Sequence, residues 1–149
     1  AQMVNVLQAM LLTDGAKMVK TPTYWVFDLY KPWQDATVLP IDVKSPWYHK
    51  DATALPAISA SAVRDTAGQV HVALVNLDPN RAIPLSIALA GVTAGGVSGR
   101  IVTGTTMDAH NSFEQPDTVK PEAFTAAQVT GGTLTTTIPA KSVVVLDLR

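Results

Sequence analysis

The sequence predicts a mainly β protein, a β-sandwich that follows a short leader, residues 1–35, containing one helix. The first observation is the stretch 68–79, where six of the eight residues from Val70 to Leu77 are apolar. Gly68 and Asp78-Pro79 punctuate its ends, a pattern typical of a strand buried on both faces. The second observation is a series of short strand-like segments at the spacing expected of a sandwich: 57–64, 70–77, 83–90, 98–104, 133–138 and 142–148.

Turn residues predict how these strands are connected. Asp65-Thr-Ala-Gly68 favours an antiparallel hairpin of residues 57–78 at the centre of a sheet. Pro84 places its strand near a sheet edge, because proline cannot donate a ladder hydrogen bond. Gly131-Gly132 opens the last part of the chain, where we expect a hairpin joined through residues 139–141. The predicted core consists of Ile58, Val72, Leu74, Ile101, Val143 and Val145.

The leader gives mixed signals. Thr21-Pro22 predicts a helix start, with Thr21 as the N-cap, and the helix of roughly ten residues should end before Pro32. Before it, Met3, Leu7, Met10 and Leu11 fit helical spacing, but residues 3–7 fit the end of a buried strand equally well. Residues 38–56 suggest one short strand and a surface loop, and the long irregular segment 107–121 should lie across another part of the molecule.

Composition excludes several classes of function. The chain of 149 residues fits one core, and a net charge of −1 gives no reason to expect nucleic acid or an anionic membrane as a partner. The absence of cysteine excludes disulfides, thiolate catalysis and cysteine zinc sites. We expect no cofactor. The first residues lack an initiating Met and a basic segment, so they suggest the middle of a longer protein rather than a signal peptide.

Few side chains suggest an active site. His49, His71 and His110 are isolated, so we expect no metal site, and His71 should be a strand residue with one satisfied ring nitrogen. Asp108, Glu114 and Asp117 share the long loop and could converge as a catalytic pair, although a solvated loop explains them as well. The remaining candidates are aromatic platforms for sugar rings, against core or interface packing as the commoner role: Trp25, Trp33 and Trp47.

Two blocks carry a family resemblance. The segments 1–8 and 21–31 resemble the end of the catalytic barrel in α-L-arabinofuranosidases of glycoside hydrolase family 51, and 107–121 and 139–146 resemble the end of its sandwich. The resemblance implies that residues 1–35 are the last strand and helix of a (β/α)₈ barrel and that residues 36–149 are a C-terminal, jelly-roll-like β-sandwich. The family often has His where Trp25 and Trp33 stand, a departure that we expect to affect packing or assembly rather than catalysis.

The resemblance also implies an activity. The family removes terminal α-L-arabinofuranosyl groups from arabinan, arabinoxylan and their oligosaccharides with retention, using two glutamates. Both would lie upstream of Ala1, since Glu114 and Glu122 fall in the sandwich, so we expect no catalytic residue in this chain and no activity of the chain alone. Gln2 matches a glutamine that bonds the arabinose. The implied partners are the N-terminal part of the same enzyme, arabinose-containing saccharides and further copies in a homo-oligomer.

Two hypotheses of different classes remain. The chain is either the C-terminal part of an arabinofuranosidase or a non-catalytic sandwich for carbohydrate binding or oligomer assembly. Residues 1–35 favour the first, because a free-standing binding module has no use for a barrel strand and helix. Without the rest of the barrel, we expect fast hydrogen exchange up to about Gln34 and slow exchange in 70–77 and 143–148.

Overall fold

The computed structural model describes residues 3–149 and confirms a mainly β sandwich. The leader contains the strands β1 and β2, the helix α1 and a 3₁₀ turn, namely Leu11–Asp14, Lys17–Lys20, Pro22–Leu29 and Lys31–Trp33. The strands β3 to β8 are Thr37–Leu39, Trp47–Lys50, Thr53–Pro56, Ile58–Arg64, Val70–Asn76 and Ile83–Ala88. The strands β9 to β13 are Val97–Thr103, Glu122–Phe124, Ala127–Thr130, Thr133–Ile138 and Ser142–Leu148.

The large sheet has six antiparallel strands in the order β10-β9-β13-β7-β6-β3. β6 and β7 form the predicted hairpin, and the Asp65 carboxylate accepts hydrogen bonds from the backbone of Ala67 and Gln69 in the turn. Gly68 has φ +88°, a conformation that costs glycine little. β7 is buried on both faces, as its apolar run predicts, because it lies in the middle of the sheet and is covered on each side.

The small sheet has three strands in the order β11-β12-β8, so Pro84 does lie on an edge strand. The predicted final hairpin is wrong: β12 pairs with β11 and β8, whereas β13 pairs with β7 and β9 in the other sheet. Residues 139–141 therefore carry the chain from one sheet to the other. The buried side-chain amide of Asn76 fixes this crossing by donating to the carbonyl oxygens of Ile138 and Pro139, at 3.1 and 3.0 Å.

The main core lies between the two sheets and contains Val72, Leu74 and Ile101, as predicted. Two other predicted core residues, Val143 and Val145, pack on the opposite face of the large sheet. Successive side chains of a strand point to opposite faces. From β13, it is therefore Val144, Leu146 and Leu148 that fill the space between the sheets. Ile58 belongs to a separate small cluster with Ala57 and Ile83.

The leader confirms the helix and corrects what precedes it. Thr21 caps α1 by accepting from the backbone N–H of Tyr24, and the helix has 8 residues. Neither expectation for the segment before α1 is met: residues 3–10 form no helix and residues 3–7 are exposed, while residues 11–20 form the β1–β2 hairpin, with Gly15 at φ +57° in its turn. Before β1, Val4 makes one isolated bridge to Leu11. The sequence also missed the hairpin β4–β5, which replaces most of the expected surface loop, and the short strands β10 and β11.

Candidate functional site

The outer face of the large sheet is covered by the leader, and we call this contact the seam. Leu29 of α1 is fully buried against Ala73, Val102 and Val145 of the sheet. Trp25, Tyr30 and Trp33 pack around the same cluster. A helix of 8 residues is marginal in isolation, so this apolar contact supplies most of its stability.

Polar contacts hold the seam in register. Asp28 accepts hydrogen bonds from Lys31 on its own side and from Arg100 of β9, the latter at 3.2 Å. The hydrogen bond from Lys31, assisted by Arg100, lowers the pKa of Asp28. Burial raises the pKa of Tyr30, partly offset by a hydrogen bond with Ser61 of β6. These contacts tie the leader to β9 and β6, the strands on either side of the central pair β13 and β7.

The long segment 107–121 lies across the seam, which confirms the expectation that it crosses another part of the molecule. Buried Asn111 donates to the carbonyl oxygens of Lys20 and Val119, both at 2.8 Å, and accepts from the backbone N–H of Val119 at 2.7 Å. Val119 itself belongs to the apolar cluster of the seam. One asparagine therefore ties the loop to the end of β2 and closes the loop on itself.

The loop carboxylates do not converge into a catalytic pair. Asp108, Glu114 and Asp117 are exposed, and no hydrogen bond in the described part of the chain joins one to another. Glu114 accepts from the Ser112 hydroxyl, which lowers its pKa, and Asp117 lies 4.0 Å from the ammonium of Lys120. A hydrogen bond with Thr106 lowers the pKa of Asp108. Each acid therefore has a local partner, as the solvated-loop interpretation expects.

The tryptophans divide into two groups. Trp25 and Trp33 pack in the seam, and their indole nitrogens are buried without a hydrogen-bond partner among residues 3–149. The ammonium of Lys20 lies 4.8 Å from the ring centroid of Trp25. Packing is thus the role the structure supports for these two. Trp47 of β4 is 56% exposed and remains open to contact with a ligand or partner.

The histidines form no shared site. His49 is exposed on β4, and His110 is exposed on the loop with its Nδ1 2.9 Å from the carbonyl oxygen of Asp108. His71 is buried, and both of its ring nitrogens have partners rather than the one expected. Across residues 3–149, no group of three or more acidic or histidine side chains has an arrangement suited to a metal ion. No described helix is long and apolar enough to span a membrane.

A second feature is an apolar groove between the sheets. Six strands face only three, and the excess leaves a cavity of about 750 Å³ beside the edge strand β8. Its floor is formed by inner-face residues of β6 and β7 and its sides by β8 and the segment after β3. Asp42, Lys44 and Arg64 are the charged lining residues. Such a lining favours docking of an apolar segment over acid–base chemistry.

The comparisons with known proteins decide the family. A family described as "Alpha-L-arabinofuranosidase C-terminal domain" matches residues 1–142. The chain belongs to this family. The predicted substrate-binding residue Gln2 lies outside the described residues. No catalytic residue was predicted for this chain.

Relatives of this C-terminal domain are longer proteins. An "Intracellular exo-alpha-L-arabinofuranosidase" of Bacteroides ovatus is 42% identical over 150 residues, which span 100% of this chain and 29% of that protein. The crystal structure of a GH51 arabinofuranosidase from Xanthomonas axonopodis pv. citri is 48% identical with a TM-score of 0.98, over 100% of this chain and 30% of that one. A family 51 enzyme from Bifidobacterium longum is 25% identical with a TM-score of 0.86, over 100% and 30%. The chain spans under a third of each.

Sequence reasoning missed the buried polar residues that organise the domain: Asn76, Asn111 and the partners of His71. A weak signal existed for two of them. Asn76 ends a strongly apolar run just before Asp78-Pro79, and Asn111 stands in the middle of a long loop. Buried polar groups are almost always hydrogen-bonded, but their partners lie 62 and 91 residues away in the chain, a separation that no local pattern encodes.

Proposed function

We propose that this chain is the C-terminal portion of a retaining exo-acting α-L-arabinofuranosidase. The substrates would be terminal non-reducing α-L-arabinofuranosyl residues of arabinoxylan, arabinan and arabino-oligosaccharides. The observation that carries the proposal is the match of the whole chain, at 48% identity and a TM-score of 0.98, to 30% of a GH51 arabinofuranosidase. The loop carboxylates support it further: they do not form a catalytic pair with one another, so the chemistry would be supplied by another part of the protein.

The two parts of the chain would have different roles in the enzyme. Residues 1–35 would complete a (β/α)₈ barrel, and residues 36–149 would form the sandwich that packs against it. Retaining glycosidases place an acid/base and a nucleophilic carboxylate about 5 Å apart. In this chain, Glu114 accepts a hydrogen bond from Ser112, and Glu122 lies in β10, the edge strand of the large sheet. The reacting pair is therefore assigned to the remaining part of the enzyme.

The apolar groove supports a direct contact with that N-terminal part. Three strands cannot cover a six-stranded sheet, and within residues 3–149 no strand pairs with the edge of β8 beside the groove. An extended apolar segment from elsewhere in the enzyme would pair with this edge and fill the cavity of about 750 Å³. Further copies of the enzyme in a homo-oligomer are a second class of partner for the exposed surface.

Activity measurements test the proposal. The complete enzyme should release arabinose from an aryl α-L-arabinofuranoside, whereas this chain alone should release none, because the nucleophile and proton donor are absent. The control is the complete enzyme with each of the two proposed catalytic glutamates replaced by glutamine in turn, which should be as inactive as the chain. Arabinose release by the isolated chain, free of other enzymes, would refute the assignment of the reacting pair.

Gln2 is proposed to hydrogen-bond the arabinose. Barrel enzymes gather ligand-binding residues at the C-terminal ends of their strands, which suits a residue of the last strand. In the complete enzyme, Gln2→Ala should lower kcat/KM by about one to two orders of magnitude with little change in Tm. Gln8→Ala, a change of the same residue type six positions later, is the matched control. Equal kcat/KM for Gln2→Ala and the wild type would assign Gln2 no role in binding.

The alternative is a non-catalytic module for carbohydrate binding or oligomer assembly. Exposed Trp47 favours it, since an aromatic face suits the apolar face of a sugar ring. Retardation of the isolated chain in gels containing arabinan, lost in Trp47→Ala and kept in Trp25→Phe, would support this second function.

A further inference from the structure

The chain that follows Gln2 is fastened to the start of β1. The backbone N–H of Leu11 donates to the carbonyl oxygen of Met3 at 2.9 Å, and the carbonyl oxygen of Leu11 accepts from the backbone N–H of Asn5 at 3.0 Å. Val4, between them, forms a parallel bridge with Leu11. Residues 3–5 are therefore held against β1 by main-chain hydrogen bonds.

The side chain of Asn5 adds three hydrogen bonds to a single residue of the same strand, Thr13. Its Oδ1 accepts from the backbone N–H of Thr13 at 2.7 Å. Its Nδ2 donates to the carbonyl oxygen and to the hydroxyl oxygen of Thr13, at 3.1 and 2.8 Å. A side-chain amide both accepts and donates, which neither an ionised carboxylate nor an aliphatic group can do. We call these hydrogen bonds between Asn5 and Thr13 the clasp.

The backbone of Asn5 lies in the left-handed region, with φ +51°. Asparagine enters this region more readily than most residues other than glycine, but the conformation persists only where neighbouring contacts fix it. Asn5 and Thr13 are both exposed, so their hydrogen bonds replace bonds to water and add little to the free energy of unfolding. The clasp therefore acts mainly on the course of the chain, three residues after Gln2.

The β1–β2 hairpin that holds Asn5 is itself joined to the seam. The hydroxyl of Thr21, the N-cap of α1, donates to the carbonyl oxygen of Ala9 at 2.7 Å. At the end of β2, the carbonyl oxygen of Lys20 accepts from Asn111 of the long loop. The clasp is therefore fixed relative to the large sheet through the hairpin and α1.

We propose that Asn5 is a positioning residue for Gln2, an inference that rests on the arabinose-binding role proposed above for Gln2. By fixing residues 3–5 on β1, the clasp sets where the chain leaves Gln2, and hence where the side-chain amide of Gln2 meets the sugar. Asn5 acts through Gln2 and makes no contact of its own with the substrate. A displacement of about 1 Å at a substrate-positioning group can lower the rate about a hundredfold, so a segment free to shift weakens the hydrogen bond to arabinose.

Replacing Asn5 by glycine in the complete enzyme tests the proposal. Asn5→Gly removes the clasp but keeps a residue that adopts a positive φ without strain. It should lower kcat/KM on an aryl α-L-arabinofuranoside about tenfold, because Gln2 is displaced but still present. In the Gln2→Ala background, the same change should lower kcat/KM less than about twofold, because the residue through which Asn5 acts is then absent.

Gln8→Gly is the matched control. Gln8 is an exposed residue of the same loop with φ +61°, and it lies outside the clasp. This change adds the same backbone freedom and should leave kcat/KM unchanged. Thr13→Ser, which keeps the hydroxyl, should retain the wild-type kcat/KM, whereas Thr13→Val, which removes the hydroxyl, should lose part of it.

The two backgrounds separate this role of Asn5 from the proposed function. Equal kcat/KM for Asn5→Gly and the wild type, in an enzyme that Gln2→Ala impairs, would refute the positioning role and leave the proposed function intact. Equal losses from Asn5→Gly in both backgrounds would also overturn the proposal, because Asn5 would then act independently of Gln2. A complete enzyme that released no arabinose, or one unaffected by Gln2→Ala, would refute the proposed activity or the proposed role of Gln2, and this inference with it.

Discussion

The leader and the sandwich bury their residues in different ways. The sandwich has a core of its own between two sheets, with Leu74, Leu134 and Leu146 all nearly or fully inaccessible. The described leader has no comparable core, and its most buried large side chain, Leu29, packs on the sheet. The proposed boundary near residue 35 therefore divides the chain, while the packing is continuous across it. The seam is a shared core.

The largest effect is expected at Leu29, which joins the leader to the large sheet. Leu29→Ala should lower the free energy of unfolding of the chain by about 3 kcal/mol, because the seam loses a fully buried side chain and cannot close around the gap. Phe27→Ala is the matched control on the same helix, since Phe27 is 53% exposed, and it should cost less than about 1 kcal/mol. Equal losses in chemical denaturation would mean that the seam is no tighter than the free face of the helix.

A smaller effect is expected at Asn111, which joins the leader to the long loop. Asn111→Ala removes three hydrogen bonds and leaves the carbonyl oxygens of Lys20 and Val119 without this partner, which should cost about 2 kcal/mol. Amide exchange at Val119 should accelerate in the same variant. Asn80→Ala, at an exposed position, is the control and should change neither quantity.

Hydrogen exchange separates the leader from the sandwich directly. The sequence predicts fast exchange throughout residues 1–34, on the ground that a lone strand and a short helix lack a surface to pack on. The seam provides such a surface for α1, and the hairpin β1–β2 supplies its own backbone partners. Fast exchange confined to residues before α1 would show that the seam is stable without the rest of the barrel; fast exchange through Leu29 would show that it is not.

The sequence predicted correctly those elements that are determined by residues close together in the chain. The helix start at Thr21-Pro22, the Asp65–Gly68 turn and the β6–β7 hairpin depend on residues close together in the chain, and all three are present. The pairing of β13 was wrong because residues 139–141 suit a hairpin loop as well as a crossing, and the choice depends on Asn76 far away. For the site, the role of Gln2 and the absence of the glutamate pair were predicted from the family resemblance. The seam could not be predicted, because its contacts join residues that are far apart in the chain.

The smallest expected effect concerns the charge at the rim of the seam. The ion pair of Asp28 with Lys31 and Arg100 lowers the pKa of Asp28 below its ordinary value of 3.8. A depressed folded-state pKa contributes stability that is present above the unfolded-state value and is lost as pH falls through the folded-state value. Asp28→Asn should therefore lower Tm at neutral pH by about 2 °C, the scale of a partly exposed pair. The difference from the wild type should shrink as pH falls below 3.8.

Asp117→Asn, which removes an exposed pair with Lys120, should have no measurable effect at any pH. If Asp28→Asn behaved like Asp117→Asn, the ion pairs of Asp28 would not stabilise the seam, and Arg100 would have no part in orienting the leader.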